Sequence, residues 1–369
     1  MIDIAGYTIL EQIGTGGMAT VYKGIQNSLK RQVAVKVLHQ KLADNPLVLK
    51  QFDRESFIVA QLNHPHIIHI IDRGLLKDKR PYFIMEFLQG CDLAALLKQE
   101  ALTTNKKLDI LIQICKALGY AHKNGVIHRD IKPANIFIDQ EYHAHVLDFG
   151  IAQFCQSQPL SPDEDFVMGT LAYMAPEQKK SAANVTILSD IYSFGVLMYV
   201  LFTGQKPLAN YAKPSELVDD IAPALDHLIL SCLHEDPLER PSSADKIKDG
   251  LLRLLNGTHL NHEQRDRVEQ DIPSLKSQFS LLDVIKEEKY GGIYLYQNLA
   301  DQTLLVIKKR PIWLKGFEET NLVKSLTHNN IARIYGASRN ERHYIVVMEY
   351  LSGGSLEDRQ CLGVGERLV

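Results

Sequence analysis

Two stretches hold the side chains whose types and spacing could do chemistry. They are His128-Arg129-Asp130-Ile131-Lys132-Pro133-Ala134-Asn135 and, further on, Asp148-Phe149-Gly150. Asp130 can accept the proton of an attacking hydroxyl. Lys132 can neutralise negative charge on a group in transfer. Asn135 and Asp148 offer the hard oxygen ligands that Mg²⁺ prefers. Arg129 can brace an added phosphate. A base, a cation and two oxygen ligands so close together suit phosphoryl transfer, where catalysis is mostly positioning and electrostatic neutralisation.

Elements upstream must bring a phosphate donor to these groups. Residues 7–13 alternate as a strand and run into Gly14-Thr15-Gly16-Gly17, with Ala19 and Val21 beyond. Glycines in a hairpin let backbone N–H groups approach phosphate oxygens. Taken alone, such a loop is more often a tight turn. Val33-Ala34-Val35-Lys36 follows as a β-branched strand. Asn45, a good N-cap, and Pro46 open a helix carrying Asp53, Arg54 and Glu55. His64 and His66 resemble a metal pair but are expected to be structural, and residues 82–88 form an apolar strand. Thr104 is expected to cap a helix with Leu108, Leu111, Ile112, Cys115 and Leu118 on one face, Cys115 packing there. Residues 156–165 are polar and loop-like. Residues 189–203 form a buried helix stopped by Gly204, and residues 242–255 form a last helix.

The spacing H-R-D-x-K-x-x-N followed by D-F-G resembles that of bacterial serine/threonine kinases of the eukaryotic-like (Hanks) type. The resemblance implies an α+β, two-lobed protein-kinase fold over residues 1–255. An antiparallel sheet lobe would end near residue 87, and a mainly helical lobe would fill residues 88–255. It implies ATP and Mg²⁺ as cofactors and transfer of the γ-phosphoryl group to protein hydroxyls, with autophosphorylation. Asp130, Lys132, Lys36 and Glu55 would be the catalytic set, with Lys36 paired to Glu55. The nucleotide would lie against Gly14, Thr15, Gly16, Gly17, Val21, Ala34, Lys36, Met85, Glu86, Leu88 and Asn135, with Glu86 and Leu88 acting through main-chain groups. Asn135 and Asp148 would hold the metal. Asp190 would support the catalytic loop, Arg240 would pair with Glu177, and Lys132 with Thr170 would favour serine/threonine substrates. Ser157 and Ser161 are candidate phosphosites opposite Arg129. Ala19 departs from the pattern at the third glycine. Residues 204–225 look short, which reduces a helix that often docks substrates.

Residues 256–278 are polar and read as a linker, after which the chain repeats itself. Residues 279–308 align without a gap on residues 7–36, at an offset of 308 − 36 = 272. Glu319 falls on Glu55, His328-Asn329-Asn330-Ile331 on His64-Pro65-His66-Ile67, and Met348-Glu349-Tyr350 on Met85-Glu86-Phe87. Lys286 and Glu288 replace Gly14 and Gly16, and no second catalytic loop follows. Residues 279–369 are therefore expected to be a partial, non-catalytic second small lobe, contacting the kinase domain or another copy.

With 369 residues and an apolar fraction of 45%, the chain can bury a sizeable core. A formal net charge of −3 argues against a nucleic-acid surface. Five cysteines, Cys91, Cys115, Cys155, Cys232 and Cys361, include no C-x-x-C pair and fit a reducing compartment. The first ten residues lack a signal core and no apolar run is long enough to span a bilayer. A cytoplasmic protein is expected, with export as an effector left open. The alternative function is a catalytically weak, kinase-like scaffold acting through its second lobe. The A-P-E closure at Ala175-Pro176-Glu177 argues against a small-molecule phosphotransferase.

Overall fold

Five strands open the chain: β1 (Tyr7–Thr15), β2 (Ala19–Gln26), β3 (Arg31–Leu38), β4 (Ile70–Leu75) and β5 (Pro81–Glu86). They form one antiparallel sheet in the order β1-β2-β3-β5-β4. Side chains alternate across β3. Val33, Val35 and Val37 turn to one face and pack with Ile4, Leu76 and Ile84. Ala34 and Lys36 therefore take the other face. The structure is a computed structural model. It describes residues 2–16, 19–44, 49, 60–149, 171–181, 184–207, 211–219, 221–255, 278–288, 291–314, 317, 320, 323, 331–339 and 342–351. Expectations for Gly17, Asn45, Pro46, Asp53, Arg54, Glu55, Gly150, Cys155, residues 156–165 with Ser157 and Ser161, Thr170, residues 256–277, Glu319, residues 328–330 and Cys361 lie outside them.

A helical region follows, built on α1 (Leu93–Gln99), α2 (Thr104–Lys123), α3 (Pro176–Lys180), α4 (Ile187–Thr203), α5 (Pro223–Cys232) and α6 (Ala244–Leu255). A small sheet of β6 (Gly90–Asp92), β7 (Ile136–Asp139) and β8 (Ala144–Val146) lies among them. The cap of α2 is Thr103, one residue before the expected Thr104, because its side chain accepts from the Lys106 N–H at 3.3 Å. The expected apolar face is right: Leu108, Leu111, Ile112, Cys115 and Leu118 are all buried. Helix α4 begins two residues before Ser189 because Thr186 and Ser189 form a reciprocal capping box. It ends at Gly204, whose φ of 71° suits the left-handed C-terminal stop. Among the described residues between α4 and α5 there is one four-residue helical turn, Pro214–Leu217, consistent with the short segment expected there.

The sheet meets the helical region through the turn before β4. Ile67 bridges to Val146 of β8, and the Val146 N–H donates to the His66 carbonyl at 2.9 Å. His66 Nδ1 donates to the Ala144 carbonyl at 3.0 Å, and His64 stacks on Tyr120 with ring centroids 5.2 Å apart. Burial pushes the His64 and His66 imidazoles down to about 4 and about 3, so both are neutral joints of the junction.

The chain divides into two compact units, the first covering Met1–Ile247 and the second Lys248–Ser355. The division falls inside α6, whereas the sequence reading ends the first domain at residue 255. The second unit contains β9 (Phe279–Glu288), β10 (Gly291–Asn298), β11 (Leu304–Pro311), β12 (Ile334–Arg339) and β13 (His343–Glu349), ordered β12-β13-β11-β10-β9. The first sheet recurs residue for residue. Tyr7 pairs with Gln26 and Phe279 with Asn298; Val21 pairs with Lys36 and Ile293 with Lys308. The bulges recur as well. β1 skips Leu10 and Ile13, while β9 skips Leu282 and Ile285 at the same offset. Leu281, Tyr294, Tyr296 and Ile307 form the core of this second sheet. Among the described residues no helix is long and apolar enough to cross a membrane.

Gly195 sets how closely α4 and α5 can pack. A Cβ there would lie 2.6 Å from the Cys232 Cβ and 3.2 Å from Leu233. Gly195→Ala is expected to destabilise the first unit by about 1–3 kcal/mol through overpacking, read as a lowered thermal unfolding midpoint. An unchanged midpoint would mean that the helices separate freely.

Candidate active site

The catalytic loop hangs on a buried carboxylate. Asp190, near the start of α4, has 0% exposure. It accepts hydrogen bonds from the His128 N–H at 2.7 Å, the Arg129 N–H at 2.7 Å and His122 Nε2 at 2.8 Å. Burial alone would raise its carboxyl. The hydrogen bonds from His122 and from the His128 amide outweigh that and hold it below the usual range. Arg129 adopts φ 69°, a left-handed conformation rare for a residue with a side chain. His122 was not singled out from sequence. Its signal is weak, a histidine at the end of an apolar helix, and only the fold brings it to Asp190.

His128 orients the segment from Leu147 to Phe149. Burial, the largest influence, pushes its imidazole down, so it is neutral. Nε2 lies 2.7 Å from the Leu147 carbonyl and must donate, which leaves Nδ1 to accept from the Asp130 N–H at 3.2 Å. Phe149 is buried against the His128 ring, centroids 4.6 Å apart. With Phe149 directed into the core, Asp148 is directed into the cleft, where it bonds Lys36 Nζ of β3. Burial would raise the Asp148 carboxyl. The charge and hydrogen bond of Lys36, with the charge of Lys132, outweigh it and hold the group below the usual carboxylate range.

Asp130, Lys132 and Asn135 form one cluster. Asn135 Nδ2 donates to the Asp130 carbonyl at 2.7 Å and to Asp130 Oδ2 at 2.9 Å. Lys132 Nζ lies 2.8 Å from the same Oδ2. Both contacts fall on Oδ2, so Oδ1 is the oxygen that can take a hydroxyl proton. The Asn135 amide nitrogen is used up on Asp130, so its oxygen is the end that can meet a cation. A carboxylate from Asp148 and an amide oxygen from Asn135 are a hard donor set that fits a divalent cation.

The strands lay out the nucleotide side. The register pairs Val21 with Lys36 and Ala34 with Met85. In the β1–β2 turn the Gly16 N–H donates to the Ala19 carbonyl at 2.9 Å, and Thr15 pairs with Thr20. A Cβ at Gly14 would meet nothing within 4 Å, and one at Gly16 would meet only the Ala19 carbonyl at 3.9 Å. Internal packing does not demand these glycines; they leave open space for an outside group such as a phosphate. The Glu86 N–H donates to the His69 carbonyl at 3.1 Å, so of its main-chain groups only the carbonyl could serve a base edge. Leu88 follows β5. Glu55, the expected partner of Lys36, lies outside the described residues; the partner observed is Asp148, which the sequence reading assigned to the metal alone.

Below the cleft, Arg240 holds Glu177 through two bonds, Nη1 to Oε1 at 2.8 Å and Nη2 to Oε2 at 2.9 Å, as expected. The Ser189 hydroxyl also donates to Glu177 at 2.9 Å. Helix α3 is thereby fixed to α4 and to the segment before α6.

A profile of the protein kinase domain matches residues 7–251, and the chain belongs to the protein kinase family. A second profile, of the protein tyrosine and serine/threonine kinases, matches residues 307–360. A probable serine/threonine-protein kinase of Clostridium acetobutylicum is 36% identical over 277 residues, covering 71% of this chain and 42% of the relative. The serine/threonine-protein kinase PknB of Mycobacterium tuberculosis is 33% identical over 270 residues, covering 68% of this chain and 43% of PknB. The chain thus spans about two fifths of the length of these relatives. The crystal structure of the M. tuberculosis PknI kinase domain matches with a TM-score of 0.58 and 28% identity, covering 68% of this chain and 97% of that domain.

Asp190 makes stability depend on pH with a definite sign. Its folded carboxyl is depressed, so its contribution is complete above the ordinary value of about 3.9 and is lost as pH falls towards the folded value. Asp190→Asn should cost about 1.5–3 kcal/mol near neutral pH, the scale of a hydrogen bond to a charged group. The gap in unfolding midpoint between wild type and variant should hold above about pH 5 and close below about pH 4. A gap that stays constant down to pH 3 would contradict the charged, hydrogen-bonded carboxylate.

Proposed function

We propose that this chain is a serine/threonine protein kinase that transfers the γ-phosphoryl group of ATP to protein hydroxyls, with Mg²⁺ as the metal and with autophosphorylation. The observation that carries the reading is the convergence of Asp130, Lys132, Asn135, Asp148 and Lys36 in one place. Protein kinases use ATP and a divalent metal, and the names of the bacterial relatives support the serine/threonine class.

In this reading the substrate hydroxyl gives its proton to Asp130 Oδ1 as its oxygen bonds to the γ-phosphorus, and ADP leaves. Asn135 and Lys132 hold Asp130 in place, and Lys132 also offsets charge on the phosphoryl oxygens. Lys36 and the glycine-loop N–H groups hold the phosphates, Ala34, Val21 and Met85 line the base pocket, and Glu86 and Leu88 offer main-chain groups. Asp148 and Asn135 would hold a divalent ion, whose charge would offset that of the phosphates. Glu55, by family resemblance, would take Lys36 when Asp148 turns to the ion. A cytoplasmic setting is part of the proposal, supported by Cys232, a buried free thiol.

We also read residues 279–369 as a second small lobe without catalysis that rests on a partner surface, either the kinase domain or another copy. Lys286 and Glu288 stand where the first lobe has Gly14 and Gly16. Ile331 is 40% exposed, whereas its counterpart Ile67 is 2% exposed where β8 covers it.

Mg-ATP incubation followed by phosphosite mapping tests the first proposal. Asp130→Asn should lower turnover by roughly 10²–10⁴-fold, the range for a lost general base. Equal phosphate incorporation in both proteins would remove Asp130 from that role. For the second lobe, a chain ending at Asn256 should keep kinase activity and change in oligomeric state or stability. If the shortened chain matches the full one in every assay, the second lobe is a remnant.

A further inference from the structure

Gln178 follows Glu177 in α3, is 7% exposed, and has no part in the mechanism above. Its Nε2 donates to the Arg129 main-chain carbonyl at 3.0 Å. Only the amide nitrogen can face a carbonyl, so the side-chain orientation is settled by that partner. The amide oxygen is buried and accepts no hydrogen bond among the described residues.

The Arg129 carbonyl belongs to the peptide that carries the Asp130 N–H. That peptide is held at both ends, its oxygen by Gln178 and its N–H by His128 Nδ1 at 3.2 Å. The preceding peptide is held through the Arg129 N–H, bonded to Asp190 Oδ1 at 2.7 Å. Arg129 sits between these two planes at φ 69°. A residue with a side chain stays in that conformation only where its surroundings over-determine it. The relative rotation of the planes sets the direction in which the Asp130 side chain leaves the backbone.

We propose that Gln178 is a positioning residue for Asp130, holding the Arg129–Asp130 peptide in the rotation that aims the carboxylate at the substrate hydroxyl. The inference rests on Asp130 being the base. Helix α3 is itself pinned by the Glu177–Arg240 pair, at 2.8 and 2.9 Å. Through Gln178 the closing helix of the segment after Asp148 is mechanically tied to the catalytic loop. The partner is a main-chain group, so the contact leaves no signature in residue pairing along the sequence.

The test is Gln178→Met in the full chain, which keeps the volume and removes the donor. Turnover of a serine peptide should fall by roughly 10–100-fold, the scale of a misplaced catalytic group. KM for ATP and the unfolding midpoint should stay near wild type. In an Asp130→Asn background the same substitution should cost nothing further, because the residue acts through Asp130. If Gln178→Met fails to fold, Gln178→Glu carries the same test, since its shape is retained and its ionised form cannot donate. Unchanged turnover, a parallel rise in KM for ATP, or an additive loss in the Asp130→Asn background would overturn the proposal. Loss of turnover on Asp130→Asn with none on Gln178→Met would sink this inference alone. No loss on Asp130→Asn would sink the base assignment instead.

Discussion

Asp190 carries a carboxylate with no solvent exposure, and donors from two other parts of the chain meet it. A buried charge is tolerable only when its oxygens are satisfied, because the desolvation cost is otherwise several kcal/mol. The two successive N–H groups of His128 and Arg129 must therefore both point at α4. A chain that does this has to turn sharply, and Arg129 takes the strain at φ 69°. Asp130, Lys132 and Asn135 are then delivered to the cleft from a rigid base. The buried helix α4 has no catalytic side chain, yet the site depends on it for alignment.

The second dependence is electrostatic. Lys36 comes from the sheet and Asp148 from the helical region, and their bond crosses the cleft. The neutral junction at His64, His66 and Tyr120, with the Ile67–Val146 bridge, fixes the sheet against β8 and so sets how far Lys36 must reach. In this arrangement the lysine and the carboxylate neutralise each other. Each can exchange its partner for a phosphate or a cation without leaving a bare charge behind.

The second sheet separates fold from chemistry. It reproduces the strand order, the pairing register and the bulges of the first. Register is held by the apolar alternation that forms its core, and a slip of one residue would turn every such side chain outward. Nothing in that constraint protects a glycine loop. The site residues were therefore free to change while the sheet persisted, and a shared fold carries no activity by itself.

Asp130, Lys132, Asn135 and Asp148 were legible as a candidate group because their types suit one chemistry and their spacing is short, whereas Lys36, 112 residues before Asp148, was legible only through the family resemblance. The linear order of residues was also enough to find the repeat, since strand pairing follows a local pattern of apolar residues that survives at one offset over residues 279–308. Helix ends were legible to within one or two residues. Thr103 rather than Thr104 caps α2, and Thr186 begins the capping box of α4, because a cap is decided by which hydroxyl reaches a free N–H. Tertiary structure alone decided that His122 meets Asp190, that His64 and His66 are a neutral junction, and that Gln178 grips the Arg129 carbonyl. Those contacts join residues far apart in the chain, often through main-chain atoms. Main-chain atoms are the same at every position, so no residue type announces them until the chain has folded.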